Sequence, residues 1–213
     1  MQALSLYRDQ SLGVRLHTGL RAWSAPLQAV VDALPRDGSL LDVGCGHGLI
    51  ANAVALRSPV ARILGIDLSE SKIASAQASV GTRPNIEFRL GALAGLSESG
   101  FDAVSLIDVL YLVPAVAWTS FLEMCFQKLK PGGTFVLKEI GTEPRWKFER
   151  LRLQEFISTR VLKITRGETM HFESGDELRQ RLTGIGFEGV SVQRLDVGYT
   201  SPHLLLSARR PGP

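Results

Sequence analysis

The sequence predicts an α/β protein built on a doubly wound sheet of seven strands, mostly parallel with an antiparallel last strand. Three observations predict it. Short apolar runs alternate with helix-length segments from residue 27 onward, the pattern of parallel strands joined by crossover helices. The first of those runs enters a glycine-rich turn, Gly44-Cys45-Gly46-His47-Gly48, and a helix follows it. The chain has 213 residues, 45% of them hydrophobic and 21% charged, a size and composition that suit one domain with a substantial core.

In order, residues 1–38 read as N-terminal helices, the last over Leu27–Leu34 and stopped by Pro35. Leu40–Val43 is the first strand and Gly48–Arg57 the helix after the turn. Arg62–Ile66 is the second strand, and Ser69 is the N-cap of a helix reaching Val80. Ile86–Leu90 and Phe101–Ile107 are the third and fourth strands. Pro114 suits a first helical position, and Trp118, Phe121, Leu122, Cys125 and Leu129 follow at helical spacing. Pro131-Gly132-Gly133 reads as a turn before a fifth strand, Thr134–Glu139. Ser174-Gly175-Asp176-Glu177 is a capping box that opens the next helix. Gly189–Asp196 and His203–Arg209 are the last two strands.

One connection breaks the rhythm. Residues 141–173 exceed the roughly 2–6 residues usual between a strand and a helix, and they read as a lid-like insertion. Within 143–168, Arg145, Lys147, Arg150, Arg152, Arg160, Lys163 and Arg166 outnumber Glu143, Glu149, Glu155 and Glu168. A solvated helix face explains this run as well as a surface for an anionic substrate, an acyl carrier or a membrane headgroup does.

Bulk properties exclude several classes. The net charge of +3 is modest, and no long basic tract or aromatic-interleaved patch points to nucleic acid. No window approaches the ~18 consecutive apolar residues of a membrane span. The start Met-Gln-Ala-Leu-Ser-Leu-Tyr-Arg lacks the pattern of a secretory signal. Cys45 and Cys125 lie far apart, one in the turn and one on a helix, so no disulfide and a reducing, cytoplasmic setting are expected. The histidines and cysteines show no metal-ligand spacing, so no metal is expected.

The turn carries the chemistry. Glycine tolerates close backbone approach and positive φ, and a turn between strand and helix directs amide N–H groups at a ligand. The spacing is Gly44-x-Gly46-x-Gly48 with Leu49 next, whereas the dinucleotide fingerprint needs glycine at that position. Asp42 precedes the turn. Asp67 ends the second strand, where a carboxylate can accept from both hydroxyls of a ribose.

With Leu41-Asp42-Val43-Gly44-Cys45-Gly46-His47-Gly48, Gly65-Ile66-Asp67-Leu68-Ser69, Phe101-Asp102-Ala103-Val104 and Leu129-Lys130-Pro131-Gly132-Gly133-Thr134-Phe135, the chain resembles the class I S-adenosylmethionine-dependent methyltransferases, enzymes with a Rossmann-like sheet. The resemblance covers about 39–140. It implies that Gly44, Gly46 and Gly48 line the methionine part of S-adenosylmethionine, which leaves as S-adenosylhomocysteine, and that Asp67 holds the ribose. It also implies that Asp42, Cys45, Leu68, Gly91, Ala92 and Asp108 belong to the donor site. At Ala92 the family often has an aspartate that bonds the adenine amino group, so here backbone and apolar contacts would hold the base. The segment from Leu137 onward is similar in layout to small bacterial methyltransferases of lipid and secondary metabolism, which implies a hydrophobic, carrier-linked or lipid-linked acceptor.

The acceptor end follows from topology. Ligands of an open α/β sheet bind beyond the carboxyl ends of the strands. Asp108, Tyr111, Lys138, Glu139, His171 and the segment Gly198–His203 all belong to that edge. A hydroxyl nucleophile must lose its proton, a task that suits histidine near neutral pH. His203 is therefore expected as base or substrate-orienting group, with His171 as second candidate and Tyr199 and Tyr111 shaping the pocket. Satisfied, non-catalytic histidines remain an alternative for both positions. At His47 only the backbone is expected to matter. Strand alternation sets Lys138 and Glu139 on opposite faces, so at most one should serve a given pocket, and Lys138 reads as a sheet-edge lysine. O-methylation is favoured. N-methylation of a small amine and a non-catalytic donor-binding scaffold are the alternatives.

Overall fold

The computed structural model describes residues 1–150 and 171–212. Seven strands form one sheet: β1 (Ser39–Val43), β2 (Arg62–Asp67), β3 (Ile86–Leu90), β4 (Phe101–Ile107), β5 (Leu129–Ile140), β6 (Glu188–Arg194) and β7 (His203–Arg209). Their order is β3-β2-β1-β4-β5-β7-β6. The first five pair in parallel, while β7 is antiparallel to both β5 and β6. The chain reverses at β1: β2 and β3 build outward on one side, β4 and β5 on the other. A crevice opens at such a reversal, and the glycine turn leaves β1 there.

Helices cover both faces. The helices include α1 (Leu12–Ser24), α2 (Leu27–Ala33), α3 (Leu49–Arg57), α4 (Glu70–Ala78), α5 (Trp118–Lys128) and α6 (Gly175–Ile185), with 3-10 turns over Gln2–Tyr7, Leu93–Gly95, Leu110–Leu112 and Ala115–Ala117. Strands buried on both sides need apolar side chains at every position, and β4 shows the division. Ala103 and Ile107 face the layer of α2 and α3, whereas Val104 and Leu106 face the layer of α5 and α6. Phe135 and Leu137 of β5 pack on the second layer and Val136 on the first. α3 reads Leu-Ile-Ala-Asn-Ala-Val-Ala-Leu and is buried from Leu49 through Ala55.

Local signals set the ends. Ser69 accepts from the Lys72 amide and caps α4, which stops at Ala78, short of the expected Val80. Ser174 and Glu177 close the capping box of α6, and Gly186 ends that helix in a left-handed conformation. Pro114 introduces a 3-10 turn, Ala115–Ala117, and α5 begins only at Trp118. The expected turn at Pro131-Gly132-Gly133 does not end the strand. β5 starts at Leu129, opposite Phe101, and resumes at Thr134 opposite Ala103. The intervening residues form an excursion within the ladder, tied by the Gly132 amide to the Arg210 carbonyl at 2.9 Å.

Of the 141–173 insertion, residues 145–150 are helical, and Lys147 is paired with Asp196 beyond β6. Most of the basic run of 143–168 lies outside the described residues. No helix among the described residues is long and apolar enough to cross a membrane.

Candidate active site

The glycine turn is held from below. The Cys45 amide bonds the Ile66 carbonyl at 2.9 Å, and the Gly48 amide bonds the Cys45 carbonyl at 2.9 Å. Gly44, Gly46 and Gly48 have φ of 69°, 57° and 78°, a left-handed backbone that side chains resist. Their surroundings differ. A Cβ on Gly44 would lie 2.4 Å from Val109 Cγ2, and one on Gly48 would lie 2.4 Å from Phe88 Cζ, but one on Gly46 would meet nothing within 4 Å. Two glycines let the protein pack on itself. The third faces open space, as a ligand cradle requires.

Asp67 stands beside that space. Its Oδ2 accepts from the Gly46 amide at 2.9 Å and its Oδ1 from the Ser69 amide at 2.8 Å. Each oxygen keeps a second lone pair. The Gly91 amide bonds the Asp67 carbonyl at 3.0 Å, which draws the end of β3 to the same corner. Leu68 and Ala92 are exposed there. Asp42 points elsewhere: it is buried beneath the turn, where the Ser105 hydroxyl donates to it at 2.7 Å. Burial pushes its carboxyl up to about 6. Burial, with the Asp42 and Asp67 carboxylates adding, also pushes the Cys45 thiol up, so it stays protonated.

The N-terminal segment forms a wall of this site, which the sequence did not disclose. Tyr7 is buried, and its hydroxyl donates to the His47 carbonyl at 2.7 Å while accepting from Asn52 Nδ2 at 2.8 Å. The His47 ring is not incidental: it packs on His17 of α1, centroids 5.1 Å apart.

Beyond the carboxyl ends of β4 and β5 a charged cluster is buried. Asp108 has φ 57°, the one positive φ of a non-glycine residue among the described residues. Its Oδ1 accepts from Lys138 Nζ at 2.6 Å and its Oδ2 from Arg21 at 2.8 Å. Burial pushes the Asp108 carboxyl up, but Lys138 and Arg21 together outweigh it and hold the group ionised below the usual carboxylate range. Lys138 is 1% exposed, because β5 lies between β4 and β7 rather than at an edge. Glu139 leaves the opposite face, yet its Oε1 accepts from the Val109 and Leu110 amides at 3.1 and 2.8 Å. The turn after β4 is thus gripped from both faces: the Lys138 side chain holds the Asp108 carboxylate, and the Glu139 side chain holds two backbone amides. Burial, reinforced by Asp108, raises Glu139 to about 8.

His203 begins β7 opposite Ile140 of β5, so it lies on the carboxyl edge. It is buried, with Nε2 3.1 Å from the Ser24 carbonyl and Nδ1 without a protein partner. A carbonyl only accepts, so Nε2 carries the proton and Nδ1 is a free acceptor. Burial, with Lys138 next in effect, lowers its pKa to about 4. The Tyr199 ring stands edge-on to it at 5.4 Å. His171 is half exposed and edge-on to Trp118 at 5.0 Å, on the side of Tyr111, which stacks with Phe172 at 6.1 Å. The two histidines therefore occupy different surroundings, His203 beside Asp108 and His171 over α5.

Comparison with known proteins places this geometry. Residues 15–192 match the family described as a methyltransferase domain. The chain belongs to that family. It carries a methyltransferase domain on the class I fold. Over 111 residues the chain is 36% identical to a ubiquinone biosynthesis O-methyltransferase of Leptothrix cholodnii, a match covering 50% of this chain and 46% of that protein. The chain thus spans about half the length of that relative. Its fold is shared by an S-adenosylmethionine-dependent methyltransferase of Methanosarcina mazei, at 22% identity and TM-score 0.67, over 89% of this chain and 99% of that one. It is also shared by the magnesium protoporphyrin IX methyltransferase of Synechocystis solved with S-adenosylhomocysteine, at 18% identity and TM-score 0.69, over 97% and 91%. The open space at Gly46 beside the Asp67 carboxylate fits the donor these enzymes use.

Proposed function

We propose that this methyltransferase methylates an oxygen of a small acceptor with an apolar body. The observation that carries the reading is His203. Its Nδ1 is a buried acceptor without a partner, beside the Asp108–Lys138 pair and on the same sheet edge as the glycine turn. An unpaired buried acceptor costs roughly 1–3 kcal/mol, a cost that a donor hydroxyl of an acceptor molecule would remove. The Leptothrix relative's name, an O-methyltransferase of ubiquinone biosynthesis, supports the choice of oxygen.

When bound, S-adenosylmethionine supplies a methyl group already activated on a sulfonium. The chain's own residues then have positioning tasks. The turn Gly44–Gly48 offers backbone N–H groups, Asp67 offers acceptor oxygens to a ribose, and Leu68 and Ala92 offer apolar contact to a base. His203 receives the acceptor hydroxyl at Nδ1 and fixes its direction. Correct orientation alone can supply several kcal/mol of barrier reduction. With its pKa lowered to about 4, His203 orients and does not serve as a strong base.

The test has two parts. Calorimetry with S-adenosylhomocysteine should show saturable binding that Asp67→Ala weakens at least about tenfold. Mass spectrometry should then detect methyl transfer to phenols and catechols with apolar tails in preference to amines. His203→Ala should lower kcat while leaving S-adenosylhomocysteine affinity in place. Equal kcat and an unchanged pH profile from pH 6 to 9 in that variant would remove His203 from the reaction.

A further inference from the structure

α1 is amphipathic in the wrong direction for a helix covered only by water. Its inner face holds Thr18, buried, with Val14, Arg21 and Ala22 half-buried. Its outer face presents Leu12, Leu16, Leu20 and Trp23, exposed by 67%, 63%, 63% and 75%. The spacing i, i+4, i+8, i+11 sets these four on one stripe. An ordinary surface helix turns such a stripe inward.

The stripe is part of a larger asymmetry. Apart from Met1 and Val60, every large apolar side chain exposed among the described residues lies on α1 or where the chain leaves the carboxyl end of a strand. Val116 after β4 is 96% exposed, and Trp146 after β5 is 64% exposed. α1 is anchored to that same edge through Arg21, which bonds Asp108, and through the Ser24 carbonyl, which faces His203. Among the described residues, Val60 is the exposed large apolar side chain that precedes the amino end of a strand.

We propose that this edge, led by α1, docks on an anionic bilayer surface with the acceptor pocket facing the lipid. Charge complementarity selects the bilayer over a second copy. No acidic residue occurs from Gln10 to Val31; Arg21 is paired inward with Asp108, and Arg15 stands exposed on the outer side of α1. Two copies meeting through α1 would bring Arg15 against its own copy with no carboxylate on the helix to offset it, since a two-fold contact pairs one patch with itself. Leucines and tryptophan on one face, with arginine beside them and no acid, are the composition of a helix lying in a headgroup layer. Tryptophan favours that layer in particular. The inference rests on the apolar-acceptor reading for the substrate it gathers, but on the surface alone for binding.

Vesicle flotation tests it with the full chain and no acceptor. Vesicles of phosphatidylcholine containing phosphatidylglycerol should carry the protein, and vesicles of phosphatidylcholine alone should carry roughly tenfold less. The exposed double variant L16E/L20E should lose about tenfold or more of that partitioning, with its melting temperature and S-adenosylhomocysteine affinity unchanged. Flotation with neither vesicle overturns docking, as does partitioning unaltered in L16E/L20E. A concentration-dependent dimer in sedimentation that L16E/L20E abolishes would assign the stripe to a second copy and also overturn it. Flotation that is lost in L16E/L20E, together with no methylation of any tailed acceptor, upholds docking and counts against the acceptor reading instead.

Discussion

Arg21 of α1 donates to Asp108 Oδ2 at 2.8 Å, and Lys138 of β5 occupies the other oxygen of the same carboxylate at 2.6 Å. Residues 87 positions apart in sequence thereby fix the N-terminal helix to the turn that follows β4. That turn also touches the glycine turn, because Val109 packs where a Cβ on Gly44 would stand. The contact joins α1 to the packing beneath the glycine turn.

Arg21→Met tests the link. It keeps much of the side-chain volume and removes the charge and the donor. A hydrogen bond to a charged group contributes about 1.5–3 kcal/mol, and the Arg21 side chain is 33% exposed, which lowers the expectation to about 1–2 kcal/mol. For a chain of this size that is a fall in melting temperature of roughly 2–8 °C. Lys138 still neutralises Asp108, so the fold should survive. A melt indistinguishable from that of the parent would show that α1 is held by its apolar contacts and not by this pair.

Gly46→Ala and Gly48→Ala should separate folding from donor binding. Both residues have positive φ, so alanine costs about 1–2 kcal/mol of backbone strain at either. At Gly48 the new methyl also meets Phe88 at 2.4 Å, and overpacking adds about 1–3 kcal/mol. At Gly46 it meets no protein atom. Gly48→Ala is therefore expected to melt clearly lower than Gly46→Ala. Gly46→Ala should nonetheless lose at least about tenfold in S-adenosylhomocysteine affinity, since its methyl enters the space beside Asp67. Full affinity in Gly46→Ala would place the donor elsewhere.

The two glycines also mark how far the sequence could be read. The turn, Asp67, the capping box at Ser174 and the antiparallel β7 were all legible, because each depends on local chemistry or on a strict period. The position of His203 at the carboxyl edge followed from topology alone. Lys138 and Glu139 were not legible. Alternation assigned them to opposite faces correctly, but β7 slotting between β5 and β6 buried both, and strand order is not written in any local pattern. Tyr7 and Arg21 were missed for a related reason: each works through contacts with residues distant in sequence, Tyr7 with His47 and Asn52, and Arg21 with Asp108. The apolar outer stripe of α1 follows the same i, i+4 spacing as a core stripe, so periodicity could not tell outward from inward.

Glu139 gives a prediction with a defined sign. Its folded value of about 8 lies above its ordinary 4.5, so between those values the folded protein holds a proton that the unfolded chain has released. Stability should therefore fall as pH rises through that window, and level off above it. His203, lowered from 6.5 to about 4, acts oppositely: its contribution is present above 6.5 and is lost as pH falls toward 4. The two effects overlap at mildly acidic pH, so the parent protein alone cannot separate them. Glu139→Gln can. A glutamine Oε1 still accepts from the Val109 and Leu110 amides, and it carries no proton to release. Near pH 5 the variant and the parent should melt within a few degrees of each other. Near pH 8.5 the variant should be the more stable, by on the order of 2–5 kcal/mol, as read from thermal or denaturant unfolding at both values. Parallel melting curves across this range would mean that Glu139 is ionised throughout and that the two backbone amides outweigh its burial.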